Sequence, residues 1–197
     1  NRKIKVRVED QYSELYPTET GIPQGSTLSV TLFLVAINGI LNELPHEVKG
    51  SLYADDLVIY TTAKRSTLAV RRLQNAINKI TTWATNRGLK FSKSKTEGIQ
   101  FMKRIKRDTP HPSLNLYNEA INFKETTKFL GLVLDRRLNW KKHIQDLKAK
   151  SKRSLNIIKV VAGTRWGADR KTLQRLYWAI VQSKIDYGAH IYSSANK

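Results

Sequence analysis

The amino-acid sequence predicts an α+β fold that ends in a basic, all-helical module. Short segments alternate apolar with polar residues, which is typical of half-buried strands. Longer segments repeat apolar residues every three or four positions, which is typical of amphipathic helices. In chain order these segments predict a strand, a helix, a hairpin, a helix and a strand, then a β ribbon and finally basic helices. The main domain boundary is expected near residues 135–140.

The first elements flank a loop that is rich in proline and glycine. Residues 4–10 ("IKVRVED") alternate apolar and charged side chains, which predicts a strand with one buried face. The loop at residues 16–26 follows, and Ser26 is expected to cap a helix that runs from about Thr27 to Leu44. Because that helix is apolar on nearly every side, we expect it to be buried.

The middle of the chain predicts a hairpin, a helix and further strands. Gly50–Thr62 predicts two strands joined by a tight turn at two adjacent aspartates. Ser66–Arg87 has helical spacing, and Gly88 is placed to end that helix. The remaining strands are expected at residues 89–102, 114–123 and 126–135, the last two joined through a turn near Asn118.

From Lys141 onward the pattern predicts basic helices. Each of two helices has an apolar stripe, formed by Ile144, Leu147, Ile158 and Val161 on the first and by Leu173, Leu176, Tyr177 and Ile180 on the second. Two roles stay open for Trp166, Tyr177 and Trp178, namely packing in the core and stacking on bases. Core packing is the expectation for most of them.

The charge of the chain is strongly positive and unevenly distributed. The net charge is +19. Residues 1–60 hold 5 Lys/Arg and 8 Asp/Glu, whereas residues 61–197 hold 30 and 8. A basic surface of this kind attracts a polyanion through counterion release, and nucleic acid is the polyanion we expect. The alternative is a surface that is basic only for solubility.

Composition also excludes some classes of protein. There are no cysteines, which excludes disulfides and cysteine metal sites and fits an intracellular protein. No apolar run approaches the roughly 18 residues of a membrane span, so we expect no membrane partner.

Asp55 and Asp56 form an acidic pair inside the hairpin segment. Adjacent carboxylates disfavour each other's ionised form, and a divalent cation removes that penalty. Hard oxygen ligands suit Mg²⁺, which binds one or two protein carboxylates together with substrate phosphates. The alternative is an ordinary turn with two solvated charges. The apolar flanks of the pair and the basic remainder of the chain favour the metal site.

Two further motifs suit a substrate that carries phosphates. The loop "GIPQGS" (residues 21–26) exposes backbone at Gly25 and offers a side-chain amide at Gln24, although a plain helix-entry loop is the alternative. Lys93 and Lys95 share one face if their segment is a strand. A lysine beside a triphosphate can neutralise or protonate the departing pyrophosphate, and a solvated lysine pair is the alternative.

A row of lysines runs along the first basic helix. At ~100° per residue its members fall within a narrow angular band, so one face can pack on the protein while the row contacts a phosphate backbone. The row consists of Lys141, Lys148, Lys152 and Lys159.

Four segments in this order resemble successive motifs of a reverse transcriptase from a non-LTR, LINE-type retrotransposon. They are "GIPQGSTLSVTLFLVAING", "LYADDLVIY", "GLKFSKSKTEGIQF" and "FLGLVLDRRLNWKKHI". The resemblance covers nearly the whole chain, and its last segment favours the non-LTR branch over retroviral enzymes.

The resemblance implies a right-hand polymerase fold, in which a palm made of an antiparallel sheet packed on helices precedes a helical thumb. The palm would span residues 1–125, the primer-grip ribbon residues 126–138 and the thumb residues 139–197. The implied activity is that of an RNA-directed DNA polymerase, a nucleotidyltransferase. It joins a dNTP to the 3′ hydroxyl of a DNA primer on an RNA template and uses two Mg²⁺ ions.

The resemblance also implies roles for individual residues. Asp55 matches a catalytic metal ligand, Asp56 is the adjacent carboxylate that supports it, and Lys95 is a candidate acid for the leaving group. The remaining implied roles are contact with nucleotide and template by Pro23, Gln24, Gly25 and Ser26, the primer grip by Phe129, Leu130 and Gly131, and contact with the nucleic-acid backbone by Lys141, Lys148, Lys152 and Lys159.

One member of the family's metal site has no match in this sequence. The family needs another aspartate on an upstream strand, and "VEDQYSEL" does not resemble that strand. We therefore expect the chain to start past it, one metal ligand to come from the missing upstream region, and this chain by itself to show no primer extension. The alternatives are a group II intron-type reverse transcriptase and a non-catalytic relic that binds nucleic acid. We expect an intracellular location, in the nucleus, the cytoplasm or both.

Overall fold

A computed structural model describes residues 2–18, 21–23, 25–102, 112–163, 166–193 and 195. The chain divides into two compact units. The first contains residues 1–96 and 112–121, and the second contains residues 97–111 and 122–197. The predicted α+β class is confirmed, since helices and small two-stranded sheets occur in both units.

The first unit begins with an irregular antiparallel ribbon. Its strands are β1 (Arg2–Ile4), β2 (Arg7–Val8), β3 (Gln11–Tyr12) and β4 (Tyr16–Thr18), with β1 paired to β4 and β2 to β3. The expected buried face is wrong, because Ile4, Val6 and Val8 are 57%, 59% and 68% exposed. A two-stranded ribbon buries a face only where another layer packs on it, and among the described residues these side chains have no such layer.

The helix after the loop begins later than predicted. It is α1 (Ser29–Ile37), which continues as a 3-10 helix at Asn38–Glu43. The side chain of Ser26 does not cap it. Ser29 closes the loop instead, because its hydroxyl donates to the carbonyl of Pro23 and its N–H donates to the carbonyl of Ser26 at 3.1 Å.

The predicted burial of this helix is also wrong for most of its surface. Val30 and Val35 are 69% and 71% exposed, whereas Ile37 is buried. Only one side of α1 therefore packs against other residues. No described residue packs on the other side, although that side is also apolar.

The core of the first unit lies under a hairpin. The hairpin consists of β5 (Lys49–Tyr53) and β6 (Asp56–Tyr60), and the helix predicted for residues 66–87 is confirmed as α2 (Ser66–Thr85). Gly88 follows α2 with a φ of 69°, a conformation that favours glycine. The buried cluster consists of Ile37, Ile40, Ile80, Trp83 and Ala84, and Leu52, Leu57 and Ile59 of the hairpin pack against it.

The strand predicted at residues 89–102 is mostly wrong. Ser92–Thr96 closes a turn, in which the N–H of Thr96 donates to the carbonyl of Ser92 at 3.1 Å. The one strand in this segment is β7 (Glu97–Gly98). Local bonds from Ser and Thr side chains compete with strand pairing, and here the hydroxyl of Thr96 also donates to the Ser92 carbonyl, at 2.7 Å.

Two hairpins follow where two joined strands were predicted. The turn near Asn118 is confirmed, between β8 (Asn115–Leu116) and β9 (Glu119–Ala120). Residues 126–135 form a separate hairpin of β11 (Thr126–Phe129) and β12 (Leu132–Asp135), and β10 (Asn122–Phe123) pairs in parallel with β7.

The second unit ends in helices, as predicted. Those among the described residues are α3 (Lys141–Val161), α4 (Arg170–Tyr177), a π-helical turn at Trp178–Gln182, α5 (Ser183–Asp186) and α6 (Ala189–Tyr192). None of the helices in this described part of the chain is long and apolar enough to cross a membrane.

Burial in these helices differs from the sequence expectation at two places. On α3 the buried side chains are His143 and Ser154, while Ile144 of the predicted stripe is 40% exposed. The expected core packing of the later aromatics is wrong for three of them, since Trp166, Tyr177 and Trp178 are 73%, 37% and 56% exposed.

A buried arginine ties the β11–β12 ribbon to a neighbouring segment of the second unit. Arg136 is 4% exposed. Its guanidinium contacts the carboxylate of Glu125 at 2.7 Å and donates to the carbonyl of Gln100 at 3.2 Å. Because Glu125 remains largely exposed, the pair keeps one charge in solvent and avoids the full cost of a buried ion pair.

Candidate functional site

The acidic pair lies at the tip of the β5–β6 hairpin. Tyr53 pairs with Asp56, so Ala54 and Asp55 form a two-residue turn. Ala54 has a φ of 52°, the left-handed conformation that tight hairpin turns require. The structure thus confirms the predicted hairpin and places both aspartates at its end.

Both carboxylates of the pair are open to solvent. Asp55 and Asp56 are exposed, and among the described residues neither accepts a hydrogen bond nor pairs with a cation. The apolar residues behind them pack on the core, so the hairpin presents two carboxylates at its exposed tip. This arrangement leaves the carboxylates available to a cation.

The donor set fits one part of a magnesium site. Carboxylate oxygens are the ligands that Mg²⁺ prefers, and Mg²⁺ commonly takes only one or two from a protein. The described residues contain no group of three His, Cys, Asp or Glu side chains able to hold a metal. Asp55 and Asp56 therefore form a two-residue ligand set in the described part of the chain, and a fuller site needs a further donor.

The loop before α1 is open on its outer side. Pro23, Gly25 and Ser26 are exposed, and Gln24 lies outside the described residues. Gly25 has a φ of 89°, and a Cβ added there would meet no atom within 4 Å. Glycine is needed at this position for its backbone conformation, and the open space lets a ligand approach the main chain.

The two lysines of the third motif have different environments. Lys93 pairs with the carboxylate of Glu119, whereas Lys95 is exposed. Because their segment is a turn, the predicted shared strand face is wrong. Lys95, the loop before α1 and the acidic pair all belong to the first unit, but no hydrogen bond or ion pair among the described residues joins them.

The hairpin β11–β12 carries the three residues predicted to contact a primer. Phe129 ends β11, and Leu130 and Gly131 form the turn. The hydroxyl of Tyr187 donates to the carbonyl of Leu130 at 2.8 Å, and a Cβ added at Gly131 would lie 3.1 Å from the Tyr187 ring. Sequence reasoning missed Tyr187, because 57 residues separate it from Leu130 and no local pattern marks the contact.

Asp135 organises the junction between this hairpin and α3. One carboxylate oxygen accepts the N–H groups of Arg137 and Asn139 at 3.0 and 3.1 Å, and the other accepts that of Trp140 at 2.8 Å. Trp140, which is 4% exposed, has a φ of 61°. The three bonds hold an otherwise unfavourable backbone conformation directly before the helix begins.

We expect Asp135→Ala to destabilise the second unit by about 2–4 kcal/mol, since it removes three hydrogen bonds to a charged acceptor. Asp135→Asn keeps one acceptor oxygen and should lose less. Amide hydrogen exchange at the start of α3 measures the effect. Equal exchange in the wild type and in Asp135→Ala would show that the junction does not depend on this carboxylate.

The predicted lysine row lies on the exposed side of α3. Lys141, Lys148, Lys152 and Lys159 are all exposed and lie opposite the buried His143 and Ser154. A second basic surface, which sequence reasoning missed, is a groove of about 650 Å³ between the hairpin and α3. It is lined by Thr126, Lys128, Val133, Lys142, Gln145, Asp146 and Lys150.

His143 joins α3 to the hairpin from inside. It is 6% exposed, its Nδ1 accepts the N–H of Val133 at 3.4 Å, and its ring centroid lies 4.8 Å from that of Tyr192. Burial lowers the pKa of His143; Asp146 opposes this effect and Lys150 adds to it.

We expect the second unit to lose stability as the pH falls through the histidine range. The pKa of His143 is lower in the folded chain than in the unfolded chain, so the unfolded chain takes up the proton first. The stability that the neutral His143 contributes is fully present above the pKa of this histidine in the unfolded chain, and it is lost as the pH falls below that value toward the lower pKa of the folded chain. Urea unfolding at about pH 7.5 and at about pH 5.5 measures this loss, since the two conditions lie on either side of the usual pKa of histidine. His143→Gln should lose less stability over this interval, and an equal loss would assign it to other groups.

Comparison with known proteins places the chain in a family. The model of the family described as reverse transcriptase (RNA-dependent DNA polymerase) matches residues 2–134. No solved structure matches the chain. Because the family match covers more than half of its length, this chain belongs to the reverse transcriptase family.

Named relatives come from mobile elements. The RNA-directed DNA polymerase from mobile element jockey of Drosophila melanogaster is 25% identical over 202 residues, which cover 100% of this chain and 22% of the relative. The probable RNA-directed DNA polymerase from transposon X-element of the same organism is 24% identical over 98% of this chain and 21% of its own length. The probable RNA-directed DNA polymerase from transposon BS of Drosophila melanogaster is 27% identical over 89% of this chain and 19% of its own length.

These relatives confirm the resemblance drawn from the four motifs. They are polymerases of non-LTR elements, the branch indicated by the last motif. The chain spans about a fifth of the length of the relatives it matches.

Proposed function

We propose that this chain is the palm and thumb of an RNA-directed DNA polymerase from a non-LTR retrotransposon. The observation that carries the proposal is the exposed pair Asp55 and Asp56 at a hairpin tip, in a chain that belongs to the reverse transcriptase family. Residues 1–125 are the palm, residues 126–138 the primer-grip ribbon and residues 139–197 the thumb. The substrates are an RNA template, a DNA primer and dNTPs.

Asp55 and Asp56 supply oxygen ligands in the proposed reaction. Bound Mg²⁺ would neutralise the triphosphate and activate the primer hydroxyl. The 3′ oxygen of the primer bonds to the α-phosphate, and pyrophosphate leaves. Lys95 is exposed and belongs to the same unit as the aspartates, which suits a proton donor to that leaving group. A further carboxylate beside these two would be needed to complete the metal site.

The other predicted residues hold the nucleic acid. Pro23, Gln24, Gly25 and Ser26 contact the incoming nucleotide and the template, where the open backbone at Gly25 permits a close approach. Phe129, Leu130 and Gly131 hold the primer end, and the Tyr187 hydroxyl supports that turn. The four-lysine row of α3 contacts phosphates without regard to base sequence.

The lysine row provides a test that needs only this chain. Changing Lys141, Lys148, Lys152 and Lys159 to Gln should weaken binding to an RNA–DNA hybrid. It should also reduce the slope of log affinity against log salt by up to about 4, since each phosphate contact contributes about 0.9. A fluorescence anisotropy titration at several salt concentrations measures both quantities.

A matched control removes the same charge elsewhere. Lys64, Arg65, Arg71 and Lys79 are exposed in the first unit, and their change to Gln should alter the slope much less. Equal effects of the two quadruple variants would show that binding follows net charge alone and would contradict the assignment of the row.

A further inference from the structure

Trp178 directly follows α4 and extends a basic face of that helix, which the proposed polymerase mechanism does not use. Lys171, Arg175 and Trp178 are exposed, and at ~100° per residue they fall within about 60° of each other. The half-buried side chains lie on the opposite side of the helix, at Leu173, Leu176 and Ile180. The eight residues of α4 include three Lys/Arg and no Asp/Glu.

The backbone after α4 keeps this tryptophan outside. Trp178 is 56% exposed, whereas Val181 is 2% exposed. In a regular α-helix residues three apart are neighbours on one face. The π-helical turn at Trp178–Gln182 widens the helix here, so that Val181 points into the core while Trp178 stays in solvent. Such turns are rare and occur frequently at functional sites.

The indole of Trp178 also has a free face. Elsewhere in the chain the Arg87 guanidinium lies 4.0 Å from the Trp83 ring, and the Lys5 ammonium lies 4.1 Å from the Tyr12 ring. Among the described residues no cation lies over Trp178, and its one aromatic neighbour is Tyr177, at an edge-on angle of 81°. Because 56% of its surface is exposed, the indole remains accessible to a flat ligand.

We propose that Lys171, Arg175 and Trp178 form a binding site for single-stranded nucleic acid. The indole stacks on one base and the two cations contact phosphates, a combination that binds single strands with little sequence preference. Lys171 and Trp178 are about 10 Å apart along the helix axis, the length of about three stacked nucleotides. Bases in a duplex are already stacked on each other, so this site takes an unpaired strand. The inference rests on the proposed function and deepens it.

The test measures the affinity of the chain for a fluorescent single-stranded DNA of about 12 nucleotides, a length within the site sizes of single-strand binders. Trp178→Ala should weaken binding about tenfold, by the loss of one base stack. Trp178→Tyr should keep most of the affinity. An abasic strand of the same length should bind the wild type and Trp178→Ala equally, and an RNA–DNA hybrid should also bind both equally.

Two control variants separate stacking from other effects. Trp166→Ala removes the more exposed tryptophan of the same unit, outside α4, and should leave the single-strand affinity unchanged. The double variant Lys171→Gln and Arg175→Gln should reduce the salt slope by about 1.4, since each phosphate contact on a single strand contributes about 0.7, and should leave the ratio of normal to abasic affinity unchanged. Circular dichroism confirms that each variant is folded.

Three results would overturn the inference. The first is that Trp178→Ala binds the normal single strand as tightly as the wild type does, while binding to the RNA–DNA hybrid persists. This result would remove the single-strand site and would not contradict the proposed polymerase function. The second is a change in self-association of Trp178→Ala with unchanged strand binding, which assigns the face to protein contact. The third is absence of any nucleic-acid binding by the wild-type chain, which removes the proposed function as well.

Discussion

Replacement of Asp55 by Asn is expected to lower RNA-templated primer extension by about a thousandfold or more. The substitution keeps the shape of the side chain but removes the charge that holds a cation against the triphosphate. Metal stabilisation of transition-state charge is worth several kcal/mol, and each 1.36 kcal/mol is about tenfold in rate. Because Asp55 has no hydrogen-bond or ion-pair partner among the described residues, we expect no matching loss of stability.

The assay uses a longer polypeptide that also supplies a further carboxylate donor. It joins this chain to the segment that precedes the matching region in the jockey polymerase, and it measures extension of a DNA primer with Mg²⁺ and dNTPs. Asp56→Asn should lose less activity than Asp55→Asn, since Asp56 supports the ligand beside it. Asp10→Asn removes an exposed carboxylate of the same unit and should leave extension unchanged. This chain by itself should show no primer extension.

Three outcomes would change the conclusion. Extension that survives Asp55→Asn would remove Asp55 from the metal site. The joined polypeptide and its Asp55→Asn variant could both show no extension while both bind nucleic acid in a salt-sensitive way. This result would favour a relic that binds nucleic acid and does not copy it. Robust extension by this chain alone would contradict the need for an upstream ligand.

Replacement of Trp83 by Ala is expected to destabilise the first unit by about 3–5 kcal/mol, the usual range for removal of a buried large aromatic side chain. Trp83 is 5% exposed and belongs to the cluster of Ile37, Ile40, Ile80 and Ala84. The cavity cannot close without moving α2 or the 3-10 helix. The amide exchange of α2 in urea measures the change, and Trp166→Ala, at a 73% exposed site, should have almost no effect on stability.

Trp83→Ala should also destabilise the β5–β6 hairpin that carries Asp55 and Asp56. Leu52, Leu57 and Ile59 pack against the cluster that contains Trp83, so the base of the hairpin loses its support. We expect faster amide exchange throughout Lys49–Tyr60 in Trp83→Ala. A loss of less than about 1 kcal/mol, with unchanged exchange in the hairpin, would contradict the packing described for this core.

The acidic hairpin and α2 were predictable because their signals are local. Two apolar runs around a two-residue turn define β5 and β6, and the register then follows from the turn. The helical spacing of residues 66–87 and the glycine after it define α2 in the same way. These elements position Asp55 and Asp56, so the centre of the candidate site was available from short stretches of sequence.

The errors occurred where burial depends on distant partners. The apolar sequence of α1 predicts burial, but only one of its sides meets the core. Ser92–Thr96 has strand-like alternation, yet local hydroxyl bonds close it into a turn. Core packing is expected from the sequence for most of Trp166, Tyr177 and Trp178, but the π-helical turn after α4 keeps Trp178 outside.

By itself, the sequence determined the α+β class, the family, the acidic turn and the basic row of α3. Each of these depends on residues that are close together in the chain or on total charge. Only the tertiary structure decided that Tyr187 supports the Leu130–Gly131 turn, that Asp135 holds Trp140, and which aromatic faces are open. The reason is physical: a hydrogen bond between groups 57 residues apart leaves no periodic trace in the sequence, since it depends on where the chain folds back.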